Sequence, residues 1–473
     1  MNQVFFGILS YIVLQLLLGV LVAKRVRTED DFLLAGRKLG YVLATFSIFA
    51  TWFGAESCIG TAGAAYAEGL AGVTADPFGY TACLLLMSLV FAIPLWNLKL
   101  TTIADFFRLR YSIATERLTA FIMIPTSLLW AAAQIRAFGQ VLSASSELQL
   151  TITISIAALV VILYTALGGL LADALTDIIQ GGVLIIGLII LLFSIVGDLG
   201  GIGAALAALA PDKLSFVPSG IDSGAHKFLT MAEAWAIPIC GSVVAQETIS
   251  RVIAARSPLV AQRSSFLASW LYLCAGLVPL FIGLIGFTLL PNLDDPEHVL
   301  PLMAQQHLSQ ILYIVFAGAL VSAILSTVDS CLLAASALFS HNLIISVRPN
   351  MSEPRKLLLN RIGVVGMGII AYVLALHAEG IYRLVKDASS FGSAGIFVVM
   401  IFGLFSKFGG VKSAIASLIS GASVWCVSHY ILDYEWSYLL SLGVALVSYL
   451  TMALTERWLA KTMTSSQRFE PTL

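Results

Sequence analysis

Long apolar runs recur along almost the whole chain, and they decide what it can fold into. A bilayer-spanning helix needs about 20 predominantly apolar residues. Runs of that kind stand at 4–23, 41–66, 76–97, 118–143, 150–167, 174–197, 231–253, 264–290, 309–346, 358–377, 381–405, 411–432 and 436–456. Thirteen such runs in 473 residues leave no room for a sizeable soluble domain. The pattern predicts an all-α integral membrane protein of about 13 transmembrane helices joined by short loops. Composition agrees, because only 11% of residues are charged against roughly 25% in soluble domains. The formal net charge of -1 supplies no basic field for nucleic acid.

Thirteen spans put the termini on opposite sides, and the basic residues test that count. Most Lys and Arg fall on one side: Lys24 to Lys38, Lys99 to Arg117, Arg251 to Arg263, Arg348 to Arg361, Lys407 and Lys412, and Arg457 to Arg468. The other side holds Lys213, Lys227 and Arg383, while Arg136 and Lys386 sit within or at the mouth of helices. The expected topology has the N-terminus outside and the C-terminus cytoplasmic, in the plasma (cell inner) membrane. The first run has no Lys or Arg before it and Lys24, Arg25 and Arg27 after it. That order fits a retained span rather than a cleaved signal peptide. The cysteines Cys58, Cys83, Cys240, Cys274, Cys331 and Cys426 lie in apolar stretches without metal-ligand spacing, and read as small core residues. Between residues 197 and 230 runs a Gly, Ala, Pro and Ser-rich loop whose apolar stretch Ile202 to Ala210 predicts a short interfacial helix.

A helix that only spans has no use for breakers or carboxylates at bilayer depth. The second run carries Gly54, Glu56, Gly60 and Gly63 in mid-stretch, and the seventh carries Pro238 and Gly241. Both are expected to be discontinuous. Five helices separate them, the spacing of transporters built from inverted repeats whose first helices break at the midplane. The glycines also admit a plainer role in close helix packing. The ninth run gathers Ser326, Thr327, Asp329 and Ser330, hard oxygen groups suited to sodium. Ser326 and Thr327 can equally bond back to their own helix, which leaves Asp329 unexplained. In the sixth run Asp173 and Asp177 share a helix face. Asp173, near the cytoplasmic end, is expected to be solvated, and Asp177, one turn deeper, to serve an ion or a proton.

These stretches resemble the sodium:solute symporter family, with its LeuT-like fold. The resemblance covers almost the whole chain and rests on Ser326-Thr327-x-Asp329-Ser330, Gly168-Gly169-x7-Asp177-x2-Gln180, the Ile59-Gly60-x2-Gly63-x2-Tyr66-x2-Gly69 run and Gln246-x4-Arg251. It implies five-plus-five inverted repeats with one extra N-terminal and two extra C-terminal helices. The segments would be 1–40 (extra helix and cytoplasmic loop), 41–197 (first repeat), 198–230 (extracellular lid), 231–405 (second repeat) and 406–473 (two helices and a cytoplasmic tail). It implies Na+ as coupling ion, bound by carbonyls of Ala50, Phe53 and Ala323 with the hydroxyls of Ser326 and Thr327. A second sodium would involve Ser326, Asp177, Asp329 and Ser330. Substrate positions fall at Trp52, Ser57, Asp76, Tyr80, Trp130, Gln134 and Gln246.

Within the family the resemblance runs to the high-affinity choline transporters, through Ala50-Thr51-Trp52, Gly79-Tyr80, Trp130-Ala131-Ala132-Ala133 and Ser264 to Ala268. Trp52, Tyr80 and Trp130 would wall a cation–π cage for a quaternary amine, and Asp76 adds a suitable charge. Two positions depart from that pattern: Ala245 stands where those carriers have a tryptophan, and Asp76 where they have a small residue. A proline-like amino acid, a sugar or a carboxylate stays open as substrate. A membrane solute sensor is the reading from another class. No re-entrant pore stretch points to a channel, and the six histidines show no catalytic or metal spacing to carboxylates or cysteines, so no enzyme is expected. The expected partners are a small-molecule solute and the lipid bilayer, without nucleic acid or an obligate protein partner.

Overall fold

A computed structural model describes residues 26–144, 146, 148–218, 224–348, 350–378 and 380–466, with Ser10, Val13 and Leu17. The expected first span, 4–23, therefore lies almost wholly outside the described residues. These comprise α1 Glu29–Leu34, α2 Tyr41–Trp52, α3 Glu56–Ala71, α4 Thr74–Asn97, α5 Ile103–Arg110, α6 Ile113–Ala144, α7 Leu150–Asp198, α8 Ile202–Ala207 and α9 Gly224–Gly241. After them come α10 Gln246–Ala254, α11 Pro258–Leu289, α12 Val299–His307, α13 Gln310–Val347, α14 Glu353–His377, α15 Ile381–Ser390, α16 Ser393–Phe405, α17 Val411–Ile431 and α18 Ser437–Leu459. There are no β-strands among the described residues, only an isolated bridge between Leu39 and Ala255.

Eight of these helices are long and apolar enough to cross a bilayer, and three bent pairs pass the same test together, giving up to 11 spans. The pairs are α2/α3, bent by 61°, α9/α10, by 44°, and α15/α16, by 40°. The first two are the breaks that the glycines and Pro238 predict. The third was not anticipated: Gly392 turns the chain at φ 65°, where a Cβ would meet Ile122 Cγ2 at 2.1 Å.

Residues 150–198 form one element where two spans were expected, but they do not run straight. Gly169 leaves the helical region (φ 60°, ψ -173°). An unbroken helix rises 1.5 Å per residue, so Tyr164 and Thr176 would stand about 18 Å apart. Their hydroxyls are 2.8 Å apart, so the arms 150–168 and 170–198 fold back on each other. A Cβ on Gly169 would meet the Phe32 carbonyl oxygen at 2.8 Å, which seats α1 in the elbow.

Burial shows what lies at the centre. In the most apolar stretch of α13, 72% of residues are buried, against 28% for α18 on the periphery. Residues 208–213 lie over ends of α3 and α11: Lys213 donates to the Ala67 carbonyl at 2.6 Å and Thr288 to the Ala208 carbonyl at 2.7 Å. The expected interfacial helix is there, shortened to Ile202–Ala207. Of the cysteines, Cys58, Cys83 and Cys331 are buried, whereas Cys274 is exposed on the outer surface rather than in the core.

Candidate functional site

The break between α2 and α3 frees backbone groups at depth, and side chains from three other helices take them up. Phe53 ends α2 at φ -91°, ψ 70°. The Ala55 N–H donates to Gln134 Oε1 on α6 at 2.9 Å. The Trp52 carbonyl accepts from Ser57 Oγ at 3.1 Å and from the Tyr272 hydroxyl on α11 at 3.4 Å. The Ala50 carbonyl accepts from Thr327 Oγ1 on α13 at 3.2 Å, and the same hydroxyl lies 3.2 Å from the Ala323 carbonyl. Ala50, Ala323 and Thr327, three of the five expected sodium ligands, therefore meet at one point. Phe53 is fully buried one turn beyond Ala50.

Ser326 faces the other way and donates a short hydrogen bond to Asp177 Oδ1. Beside it Thr165 donates to Asp329 Oδ1, and Ser330 to the Ser326 carbonyl at 2.9 Å. Asp177 and Asp329 are at most 1% exposed, and each keeps one carboxylate oxygen without a partner. The residues weighed for a second sodium thus form one buried hydrogen-bonded cluster between α7 and α13. Asp173 corrects the expectation of a solvated residue: it is 1% exposed and forms an ion pair with Arg251, itself 1% exposed. Arg251 also donates to Ser330. Sorted by sequence as a loop cation, it sits in the interior because Asp173 and Ser330 receive it there.

The three expected aromatic walls come together. Trp52 meets Tyr80 edge-on at 5.1 Å between ring centroids and Trp130 at 5.5 Å. Below them Asp76 Oδ2 accepts from Ser57 at 2.7 Å and from Tyr272 at 2.9 Å, while Asp76 Oδ1 is buried without a partner. The Tyr80 hydroxyl lies 3.1 Å from Ser389 Oγ on α15. Gln246 is not part of this group. Its Oε1 accepts the Ile103 N–H at the start of α5 at 2.7 Å, and its Nε2 donates to Ser250.

The cluster is closed. Beside Ala245 only about 20 Å³ remains, lined by Trp130, Gly241, Ala245 and Ser389 among others. That is room for about one water. On the far side of α15 lies a vestibule of about 600 Å³ whose wall carries Glu68, Glu233, Glu297, Asp387, Asp433 and Glu435 against Arg383 and Lys386. α15 separates the two, with Ser389 turned to the cluster and Tyr382 and Ser390 to the vestibule.

A model of the sodium:solute symporter family matches residues 32–421. The chain belongs to that family. Human high affinity choline transporter 1 is 29% identical over 443 residues, covering 88% of this chain and 75% of that one. A sodium/pantothenate symporter of Haemophilus influenzae is 29% identical over 341 residues, 70% of each chain. The solved substrate-bound outward-open state of a Na+-coupled sialic acid symporter superposes with a TM-score of 0.85 over 96% of this chain and 97% of that one, at 18% identity, a likeness of fold. This member of the sodium:solute symporter family is a multi-pass membrane symporter with a LeuT-like fold and Na+ as its coupling ion.

Several features of this symporter were missed in the sequence. Glu56 was visible as a carboxylate among glycines, but its contacts to Trp130 and Gln134 were not. Tyr272 gave no signal in the sequence. Histidines without sequence-local partners find carboxylates across the fold: His226 with Glu435 at 3.0 Å, His307 with Asp198 at 2.7 Å, His429 with Asp387 at 3.2 Å and His341 with Glu29 at 2.9 Å. Among the described residues no group of three His, Cys, Asp or Glu is placed to hold a metal ion.

Proposed function

We propose that this symporter imports a small organic cation, choline being the first to test, together with sodium. The observation that carries this reading is Asp76: fully buried, one oxygen unpartnered, next to three aromatic rings, and paired with no Lys, Arg or His among the described residues. A carboxylate so placed needs a cation, and aromatic faces hold one at about 0.5–2 kcal/mol per contact. The acidic vestibule favours the same sign of charge. An anionic substrate would be repelled by the Asp76 carboxylate.

The sodium ion is assigned to the carbonyls of Ala50, Phe53 and Ala323 and the hydroxyls of Ser326 and Thr327, supported by the meeting of Thr327 with Ala50 and Ala323. A second sodium is assigned to the cluster of Asp177, Asp329 and Ser330. These ligands straddle helices that move relative to each other in alternating access, so ion occupancy biases the state that substrate can enter. The vestibule is assigned to the outside, and the side rich in Lys and Arg to the cytoplasm. The segments 1–40, 41–197, 198–230, 231–405 and 406–473 keep their assigned roles, and a lone chain in the plasma membrane suffices.

The test is thermal stabilisation of the purified protein by choline, betaine, proline, a sugar and a carboxylate, in sodium and in potassium. Choline stabilising only in sodium is the expected outcome. Stabilisation by the sugar or the carboxylate with none from choline would overturn the cation reading.

A further inference from the structure

Glu56 stands just beyond the break between α2 and α3, 1% exposed, and belongs to neither ligand set above. Its two oxygens serve different neighbours. Oε1 accepts the Trp130 indole N–H at 3.0 Å, fixing one wall of the aromatic cluster. Oε2 accepts the Gln134 amide N–H, and Gln134 in turn caps the freed Ala55 N–H. A Cβ built on Gly54 would stand 2.7 Å from Glu56 Oε2, from Gln134 Oε1 and from Thr327 Oγ1. Any two of these oxygens are therefore separated by no more than twice that distance. Thr327 Oγ1 is the hydroxyl that meets the Ala50 and Ala323 carbonyls. The carboxylate thus stands between the point assigned to sodium and the aromatic wall, and among the described residues it pairs with no Lys, Arg or His.

We propose that Glu56 supplies the counter-charge of the sodium ion and the link through which the ion acts on the cage. The carboxylate near Thr327 attracts a cation held by the Ala50 and Ala323 carbonyls, and the same carboxylate holds the Trp130 indole and, through Gln134, the backbone at the break. Two imported charges then meet two buried carboxylates, sodium at Glu56 and the organic cation at Asp76. A glycine at 54 is required because any side chain would fill the space where the three oxygens converge. The inference rests on the assignment of sodium to the Thr327 point.

The experiment is sodium-induced thermal stabilisation of the full chain, titrating NaCl against KCl at constant ionic strength, for the wild type, Glu56→Gln, Glu56→Asp and Thr327→Ala. Glu56→Gln keeps the size and an acceptor oxygen but removes the charge. It should raise the half-saturating sodium concentration about tenfold, within the usual range of coupling between sites. A residue with only a packing role would lower the melting temperature without sodium and leave that concentration alone. A raised requirement in Thr327→Ala with none in Glu56→Gln overturns the role of Glu56 and spares the sodium site. No change in either variant overturns the sodium assignment itself. Where Glu56→Gln does not fold, Glu56→Asp, which keeps the charge but withdraws it by one methylene, should raise the requirement about threefold, and an unchanged value refutes the proposal.

Discussion

The Arg251–Asp173 pair offers the most direct test of how the interior is balanced. Both side chains are 1% exposed, and Arg251 also donates to Ser330 on α13 and, at 3.1 Å, to the Glu247 carbonyl on its own helix. Removing one partner of a buried pair costs about 3–5 kcal/mol, because the other is left uncompensated. Here the cost should be unequal. Arg251→Met strands Asp173 beside Asp177 and Asp329, both at most 1% exposed, with no other buried cation near them among the described residues. It should reach the upper part of that range. Asp173→Asn leaves Arg251 within the field of the two remaining carboxylates, so it should cost only about 1–3 kcal/mol, the usual loss of a buried hydrogen-bonded group. The double variant should cost less than the sum, with a coupling energy above about 1.5 kcal/mol. Reversible unfolding in detergent, in potassium and in sodium, measures all of these. Sodium should recover part of the loss in Arg251→Met, since an ion at Asp177, Asp329 and Ser330 restores a positive charge and stabilises by about 2.7 kcal/mol at a hundredfold excess over its dissociation constant. Equal costs for the two single variants, additive costs in the double variant, or a deficit that sodium leaves untouched would refute the reasoning.

Other outcomes can be stated briefly. Thr327→Ala and Ser326→Ala should each raise the sodium concentration needed for half-maximal uptake, and unchanged sodium dependence in both would remove the site assignment. Asp76→Asn should weaken binding of the organic cation about tenfold or more, read by competition binding, with sodium-induced stabilisation retained. Gly169→Ala should lower stability by about 1–2 kcal/mol for its left-handed backbone, and more where the Phe32 carbonyl cannot retreat, measured by the same unfolding. Burial pushes the Asp105 carboxyl up, but hydrogen bonds from His341 and from the Thr102 and Thr101 N–H groups outweigh it and hold it below its ordinary value of 3.8. Its contribution is complete above that value and fades as pH falls through it, so Asp105→Asn should flatten the acid limb of stability below about pH 4.

Breaks that carry two signals were legible, and single ones were not. Gly54 and Gly60 around a glutamate, and Pro238 with Gly241, announced discontinuous helices that bend by 61° and 44°. Gly392 alone, in a run rich in serine, announced nothing, because one glycine in an apolar helix is as often a packing residue as a hinge. Residue types suited to sodium were legible in Ser326, Thr327 and Asp329, because oxygen at depth is costly unless used. Which way each hydroxyl turns was not: Thr327 turns to Ala50 while Ser326 turns to Asp177, a division set by helix rotation. Charge sorting misplaced Arg251 and Asp173 for one reason. It assumes that every charge seeks water, and two opposite charges on facing helices can leave water together. Glu56 is visible in the sequence but its partners are not, since Trp130 and Gln134 lie 74 and 78 residues away along the chain.

The buried charges, taken together, are unevenly matched. Nine acidic side chains are buried among the described residues, against a single buried base, Arg251. Glu29 finds His341, Glu116 finds Asn342 and Arg108, and Glu233 accepts the Tyr438 and Leu439 N–H groups. Glu29 and Glu116 lie in the first turns of α1 and α6. The deeper set, Glu56, Asp76, Asp173, Asp177, Glu247 and Asp329, shares one arginine and a group of hydroxyls and amides. Hydrogen bonds orient these carboxylates, but neutral donors do not cancel their charge in a medium of low dielectric. With the proposed assignments, each cation bound should stabilise the carrier, and the gain should be largest where α2, α6 and α13 meet around Glu56 and Thr327.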